Sequence, residues 1–169
     1  MKFWFLIVLV FVLSCKKSDR IEIQHQGKFE IKKTYQNDML ISTVVYDDKR
    51  LINQSFYKNN TLYKVLEYYP NGEIKIISEL IKEPNHFYDV FYSDNGKVKS
   101  KGESDYIKKN RRFLKRGGTI FYTEDGKIAE IMDFINNGEE DFLIRHTILD
   151  TLRNTIVSDD IYDPPLKKP

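Results

Sequence analysis

Apolar and polar residues alternate over short segments of this chain, and turn-forming residues interrupt the alternation at nearly constant spacing. Ile21 and Ile23 precede a candidate turn at Gly27, and Phe29 and Ile31 follow it. Alternation with a period of two places successive side chains on opposite faces of a strand. The pattern therefore predicts short strands joined by tight turns, beginning near Ile21.

The candidate turns recur at steps of roughly a dozen residues, which leaves room for a strand of ordinary length between each pair. They are centred on Gly27, Asp38, Lys49, Asn60, Gly72, Pro84-Asn85, Gly96, Asn110, Gly126, Gly138 and Asp150. This spacing predicts an all-β fold, an antiparallel meander of successive hairpins with about 10–12 short strands in one twisted or curled sheet. The alternative is another meandering all-β domain, such as a small barrel, which has the same strands and differs only in closure.

The clearest copy of the repeated unit is Tyr68-Tyr69-Pro70-Asn71-Gly72. Asn-Gly is a strong hairpin signal and predicts a type I′ turn, in which both central residues have positive φ. The copies share an aromatic residue, a few turn residues, and then a charged and an aliphatic residue. The residues assigned to this repeated turn are Tyr57, Asn60, Tyr69, Gly72, Tyr92, Gly96, Tyr122, Gly126 and Gly138.

The pattern Tyr-Tyr-x-Asn-Gly-x-aliphatic resembles the MORN-type repeats, in their antitoxin-like variant. The resemblance is best over residues 57–128 and covers most of residues 35–140. The Gly-x-Trp element that family members often carry is missing, and Lys101-Gly102-Glu103 is its nearest remnant. The resemblance implies a repeat sheet, and the family label implies an envelope immunity or antitoxin-like role as an alternative function.

The N-terminal residues predict a secretion signal instead of part of the fold. Lys2 precedes an apolar run from Phe3 to Leu13, and Ser14-Cys15 follows it. The run has the length of a signal-peptide core, and its end resembles a bacterial lipobox. We expect a signal peptide over residues 1–14, acyl chains such as palmitate on Cys15, and a tether over residues 15–20. The alternative is an uncleaved anchor helix with an incidental cysteine.

The resemblance to a lipobox implies a protein of the cell envelope that is attached to a membrane by its lipid. Lys16 follows the cysteine where an Asp would favour the inner membrane, so resemblance to enterobacterial sorting favours the outer membrane. Whether the domain faces the periplasm or the cell surface is open. The chain has 27 Lys and Arg against 25 Asp and Glu, a net charge of +2, so we expect no nucleic-acid partner.

The regular spacing is interrupted once, where residues 106–118 form an insertion between two copies. It contains six basic residues and no acid: Lys108, Lys109, Arg111, Arg112, Lys115 and Arg116. One interpretation is a long solvated hairpin whose charges keep a sheet edge soluble. The other is a contact with an anionic lipid or an acidic partner, for which Phe113 would suit a membrane surface.

The C-terminal region carries two competing patterns. Ile144, Ile148 and Leu152 fit one face of a helix, but the turn spacing and the many Thr, Ile and Val residues favour two further strands over residues 144–157. We expect the repeat domain to span residues 21–158. Residues 159–169 are predicted to be a tail, because Pro164-Pro165 cannot continue a hydrogen-bonded ladder.

No catalytic motif is recognisable in the sequence. His25, His86 and His146 are widely spaced, and the simplest interpretation is that they are solvated or lie at sheet edges. We expect no cofactor, no metal and no catalysis, and a sheet that binds or scaffolds proteins or envelope components. The alternative is a hydrolase, which requires His25 or His86 to converge with carboxylates on one face.

Overall fold

The computed structural model describes residues 19–167, and these form one antiparallel sheet of twelve strands. The strands are β1 (Arg20–Gln26), β2 (Phe29–Gln36), β3 (Met39–Asp47), β4 (Arg50–Lys58), β5 (Thr61–Tyr68), β6 (Ile74–Lys82), β7 (His86–Tyr92), β8 (Val98–Ile107), β9 (Arg112–Tyr122), β10 (Ile128–Asn136), β11 (Asp141–Asp150) and β12 (Thr155–Lys167). Their order in the sheet is their order in the chain, and β1 and β12 form the two edges. The predicted all-β meander is confirmed.

Three turns near the N-terminal edge use the left-handed backbone region at both central positions. They lie at Asn37-Asp38, Asp48-Lys49 and Asn59-Asn60, and each joins two strands through a two-residue loop. Such primed turns match the twist of the flanking strands. Asn and Asp tolerate positive φ better than other residues with a Cβ, so Lys49, at φ 68°, is the exception.

The turn at Tyr69 to Gly72 is of a different kind. Gly72 has φ 88°; its amide donates to the Tyr69 carbonyl at 2.9 Å, and the Tyr69 amide donates to the Glu73 carbonyl at 2.8 Å. This is the hydrogen-bond pattern of a type I turn closed by a left-handed glycine. The predicted type I′ turn is wrong here because Pro70 fixes a negative φ at the second position.

The same two hydrogen bonds close the turns at Ser93 to Gly96 and at Thr123 to Gly126. Gly96 and Gly126 donate to the Ser93 and Thr123 carbonyls at 2.9 and 3.0 Å. The glycine at the end of each copy is therefore the residue that the turn requires, since a side chain there would be strained at positive φ.

Side chains that oppose each other across paired strands lie on the same face of a sheet. Val65, Ser78, Asp89, Gly102 and Thr119 form one such row across β5 to β9. We call the face that carries this row the core face, and the other the opposite face. The row is built mainly of small side chains, which lets neighbouring groups approach closely: a Cβ on Gly102 would lie 2.5 Å from the Thr119 Oγ1.

The main hydrophobic cluster lies on the core face around Phe87, which is fully buried. Leu62 and Val65 complete its centre, and Tyr57, Leu80, Tyr106 and Phe113 pack around it. The Phe113 ring meets the Phe87 ring edge-on, with centroids 5.1 Å apart. Phe113 is therefore partly buried against the core, and its contact with a membrane surface stays a prediction.

The C-terminal region forms two strands, as predicted, but the expected tail is wrong. β12 continues to Lys167, and pairing resumes beyond the two prolines at Leu143 with Leu166 and Phe142 with Lys167. β12 is an edge strand with a register shift in this part of its pairing. Prolines are tolerated at edges and bulges, where no ladder hydrogen bond is lost. At the N-terminal end, the sheet begins at Arg20, which had been assigned to the tether as its last residue.

Candidate functional site

The six basic residues of the insertion do not form one patch. The insertion is the long hairpin of β8 and β9, as one interpretation predicted, and Lys108 and Lys109 are exposed in its turn. Arg111 and Arg112 line a small cavity on the core face. The predicted contact with an anionic partner therefore has these four residues available at the end of the hairpin, and it stays a prediction.

The last two basic residues diverge to the two faces of the sheet. The Lys115 Nζ lies 5.0 Å from the centroid of the Phe121 ring and 4.8 Å from that of Phe134. These are distances of cation–π contacts. The Arg116 Nη1 lies 3.4 Å from the Asp105 Oδ2 on the opposite face. Lys115 therefore supports the packing of aromatic rings, and Arg116 joins a polar cluster.

The polar cluster is centred on His86, the first residue of β7. Its Nδ1 lies 3.2 Å from the Asp105 Oδ1, and its Nε2 lies 2.9 Å from the Glu103 Oε2. Glu103 and Asp105 are two residues apart on β8, and side chains two residues apart lie on the same face of a strand. Both carboxylates therefore project towards the imidazole. A ring with both protons donates to both carboxylates, whereas a neutral ring donates to only one. The His86 side chain is 17% exposed.

Asp105 is the most highly coordinated member of the cluster. Besides His86 and Arg116, the Asn136 Nδ2 donates to its Oδ2 at 3.0 Å. Burial alone would raise the pKa of Asp105, but the hydrogen bonds from Asn136 and His86 and the charge of Arg116 outweigh it, so the pKa lies below its ordinary value. The carboxylate therefore stays ionised and fixes the three groups around it.

A cleft of about 870 Å³ opens beside this cluster on the opposite face. Its polar lining comprises Glu103, Asp105, Arg116, Asp133, Asn136 and Arg145, and its apolar lining comprises Phe134, Ile135, Ile144, Ile161 and Tyr162. Gly117 also lines the cleft, where two residues of β9 are inserted between the partners of Gly102 and Glu103. Bulges of this kind re-aim side chains and are common next to functional sites.

A bidentate ion pair joins Arg145, in the lining of the cleft, to Asp159 on β12. The Arg145 Nε and Nη2 donate to the two carboxylate oxygens of Asp159 at 2.7 Å each. The Thr147 Oγ1 donates to the same carboxylate at 2.7 Å. The hydrogen bonds from Arg145 and Thr147 lower the pKa of Asp159 to about 2, so this carboxylate holds Arg145 at the cleft over the whole physiological pH range.

The structure gives the three histidines different surroundings. His25 is exposed on the edge strand β1, as expected, and His146 contacts Glu130 at 3.0 Å. The expectation of a solvated or edge position is wrong for His86 and His146, whose side chains are 17% and 19% exposed on interior strands. His86 also meets the geometric requirement of the hydrolase hypothesis. Glu103, Asp105 and Asn136 were not recognised because their convergence depends on the register of four strands. The one signal in the sequence was the spacing of Glu103 and Asp105, because residues two apart lie on the same face of a strand.

The cluster offers charged and hydrogen-bonding groups at the wall of the cleft. Within residues 19–167, no group of three His, Cys, Asp or Glu side chains is arranged to hold a metal ion. Both ring nitrogens of His86 already face carboxylates, so neither faces the cleft as a free base.

The residues assigned to the repeated turn have structural roles in turns and packing. Gly72, Gly96 and Gly126 end the type I turns that begin at Tyr69, Ser93 and Thr123. Gly138 also has positive φ. Asn60 lies in a two-residue turn, and Tyr57 packs against the core. Tyr69 and Tyr92 are joined by a hydrogen bond, and Tyr122 lies beneath the Lys101 ammonium.

The predicted signal peptide and Cys15 lie outside the described residues. Between residues 19 and 167, the structure has no helix long and apolar enough to cross a bilayer. No family model matches the chain, and no curated protein is significantly similar to it. The resemblance to MORN-type repeats therefore stays a prediction from the repeated turn.

Proposed function

We propose that this chain is a lipid-anchored, non-catalytic binding protein of the bacterial cell envelope, and that the cleft on the opposite face holds a segment of a partner protein. The observation that carries this proposal is the grouping of exposed isoleucines with arginines in the cleft. Ile135 is 45% exposed and Ile161 is 75% exposed, and Arg116 and Arg145 line the same cleft. Grouped apolar side chains in a concave surface mark interaction sites, and arginine is enriched in protein interfaces.

The polar groups of the lining fix the orientation of a bound segment, which an apolar surface alone would not do. The Arg116 side chain is 60% exposed, and only its Nη1 contacts Asp105. Its remaining N–H groups are available to a carboxylate of the partner. Glu103 and Asp133 provide acceptors in the same cleft. The cleft therefore suits a segment with an apolar side chain flanked by charges of both signs.

The arrangement around His86 supports binding over catalysis. A general base needs a free ring nitrogen within reach of a substrate proton, whereas both nitrogens of His86 face carboxylates. In this arrangement the histidine fixes the positions of Glu103 and Asp105 at the wall of the cleft.

The anchor determines where the cleft is displayed. In this proposal Cys15 carries acyl chains, and two or more chains hold a protein stably at a membrane. Because β1 begins at Arg20, the intervening residues span at most about 18 Å when fully extended. The first residue of β1 is then held within that distance of the acylated cysteine, with the outer membrane as the expected location.

Site-specific photo-crosslinking in the native envelope tests the binding function. A photoreactive residue at position 161 should yield a discrete protein adduct, and the same residue at position 148 should not. Ile148 is a matched control because it is also exposed, at 37%, but lies on the core face. The adduct at position 161 should be lost in Arg116→Gln. Equal crosslinking at both positions would contradict the proposal, and Cys15→Ser should release the protein from the membrane fraction.

A hydrolase is the second candidate, because His86 converges with Glu103 and Asp105. Catalysis would require one of these contacts to open when a substrate enters. Purified protein should then cleave ester, glycoside or peptide substrates in a broad panel, and His86→Gln should remove this activity. Identical, background rates for both proteins would exclude the candidate.

A further inference from the structure

The tip of the β8–β9 hairpin, residues 108–112, concentrates positive charge. Four of its five residues are basic, none is acidic, and all five are exposed. The basic residues are Lys108, Lys109, Arg111 and Arg112. No other turn between the described strands contains more than one Lys or Arg. The proposed cleft for a partner protein uses none of these side chains.

The tip projects beyond the strands on either side of the hairpin. On one side, the last hydrogen bonds from β8 to the preceding strands are those between Tyr106 and Asn85. On the other side, the last hydrogen bonds from β9 to the strands that follow it are at Lys115. Ile107 and Arg112 lie beyond these contacts and pair with each other. The bases are therefore carried on a projecting turn.

None of the four bases forms an ion pair within the part of the chain that the structure describes. Glu67 and Asp89 line the small cavity beneath Arg111 and Arg112, but no ion pair joins either acid to either arginine. Charges that project into solvent act over about 8 Å at physiological ionic strength. The tip therefore attracts an anionic surface that it can approach closely.

The tip lies at the end of the sheet where β1 begins. In an antiparallel meander the turns alternate between the two ends, so each turn that follows an even-numbered strand lies at the same end as Arg20. The flanking turns at this end carry acids, Glu83 and Glu139-Glu140, and Lys167 pairs with Glu140 at 2.6 Å. The tip is therefore the one concentrated positive site at this end of the described sheet.

We propose that this tip binds the anionic lipid headgroups of the membrane on which the chain is anchored. The inference rests on the proposed lipid anchor at Cys15. Seven strand spacings separate β1 from β8, on the order of 30 Å along the sheet, so the anchor and the tip are separate attachment points. Each basic residue at an anionic surface strengthens attachment about fivefold, and an acyl chain combined with a basic cluster holds a protein more stably than either alone.

Two attachment points along one end of the sheet fix its orientation. That end faces the lipid, and the strands rise away from the membrane. Both faces of the sheet are then open to the side, so a partner segment reaches the cleft on the opposite face without displacing lipid. An anchor alone would leave the sheet free to rotate about its tether.

Fluorescence in reconstituted vesicles tests this contact. The chain is expressed with its own N-terminus, purified from membranes in detergent, and reconstituted into phosphatidylcholine vesicles with or without phosphatidylglycerol. A fluorescent amino acid replaces Asn110 at the tip, or Asn95 in a turn at the opposite end of the sheet. Nitroxide-labelled headgroups should quench the emission at position 110 about threefold more in anionic than in neutral vesicles, and high salt should remove the difference. Quenching at position 95 should be the same in both.

Two variants of equal charge separate the tip from the net charge of the protein. The tip variant exchanges the four bases for Gln, and the extra quenching in anionic vesicles should be lost. The control variant exchanges four lysines at the opposite end of the sheet for Gln, and the extra quenching should persist. The control residues are Lys28, Lys49, Lys97 and Lys127. Circular dichroism verifies that both variants fold.

Equal quenching at position 110 in neutral and anionic vesicles would overturn the proposal, as would an equal loss of response in the two variants. In native envelopes a photoreactive residue at position 110 should form lipid adducts. A discrete protein adduct would instead assign the tip to an acidic protein partner and would also overturn the proposal.

Flotation with neutral vesicles reports on the anchor separately from the tip. A chain that floats with neutral vesicles but shows no extra quenching at position 110 in anionic vesicles would overturn the role of the tip and leave the anchor in place. A chain that floats only with anionic vesicles, and loses this binding in the tip variant, would contradict the anchor and support lipid binding by the tip.

Discussion

The Tyr69 hydroxyl donates a 2.7 Å hydrogen bond to the carbonyl of Tyr92, the residue directly before the next turn of the same kind, at Ser93 to Gly96. A weaker contact follows it, from the Asn71 Nδ2 to the Asp94 carbonyl at 3.4 Å. The repeated turns are thus joined to one another by side chains as well as by strand pairing. The aromatic residue of the repeat has a structural role in connecting successive hairpins.

Removal of this hydroxyl should destabilise the sheet. We expect Tyr69→Phe to lower the free energy of unfolding by about 1 kcal/mol, because the Tyr92 carbonyl loses a partly buried donor. Urea denaturation followed by circular dichroism measures the effect. Tyr88→Phe is the control, since no hydrogen bond joins its hydroxyl to the described residues; an equal loss in both variants would contradict the role of the contact.

The turn at Asp48-Lys49 should gain stability from a glycine. Lys49 adopts φ 68°, where a side chain is strained, and Lys49→Gly should raise the free energy of unfolding by about 0.5–1 kcal/mol. Lys109→Gly provides the comparison, because Lys109 also lies in a hairpin turn but does not have positive φ. No gain at position 49 relative to position 109 would show that the strain is relieved in another way.

The close approach of β8 and β9 should make Gly102 intolerant of a methyl group. The added Cβ would lie 2.5 Å from the Thr119 Oγ1, so Gly102→Ala should cost about 1–3 kcal/mol by overpacking. Gly118→Ala should cost less, because its Cβ would lie 3.3 Å from the side chain of Asp133. Thermal and urea unfolding of both variants make the comparison, and equal losses would argue against the overpacking explanation.

The buried carboxyl of Asp89 should make stability depend on pH in a defined direction. Its pKa is raised above the ordinary value of 3.8 by burial, so the folded protein holds this proton more tightly than the unfolded chain. The resulting stabilisation is present below about pH 4 and is lost as the pH rises through the pKa of the folded state. The free energy of unfolding of Asp89→Asn should therefore rise relative to that of the wild type, by on the order of 1 kcal/mol, between pH 4 and pH 7.

Asp159 provides a control of opposite sign. The pKa of Asp159 is lowered from 3.8 to about 2. The stabilisation that its ionised carboxylate contributes to the folded state is therefore present above pH 3.8 and is lost as the pH falls towards 2. Asp159→Asn should therefore differ most from the wild type at neutral pH and converge with it in acid. Urea unfolding at several pH values separates the two cases, and a common pH trend for both variants would contradict these assignments.

The fold could be predicted from the sequence because its elements are local. Turn residues such as Gly96 and Gly126 mark each hairpin, and the strands between them pair with the next strand along the chain. The kind of turn at Asn71-Gly72 was missed because Pro70 changes the backbone requirement. The strand beyond Ser158 was missed because an edge tolerates prolines that an interior strand does not.

The sites were less predictable because they depend on register and on bulges. The contacts of His86 with Glu103 and Asp105 arise from how β7 and β8 align, and Asn136 reaches Asp105 from β10. The divergence of Lys115 and Arg116 follows from ordinary strand alternation, but their partners could not be named without the neighbouring strands. The buried position of Asp89 has no signal in the sequence, where it is one acid among many.

The consecutive strand order has a consequence for biogenesis. Since each of the twelve strands pairs only with strands adjacent in the chain, every strand after the first finds its partner already synthesised. A nascent chain can therefore add one hairpin at a time from β1 to β12 without waiting for distant segments. The same property means that duplication or loss of a hairpin changes the width of the sheet without disturbing its remaining pairings, which offers a simple route by which such a protein diversifies.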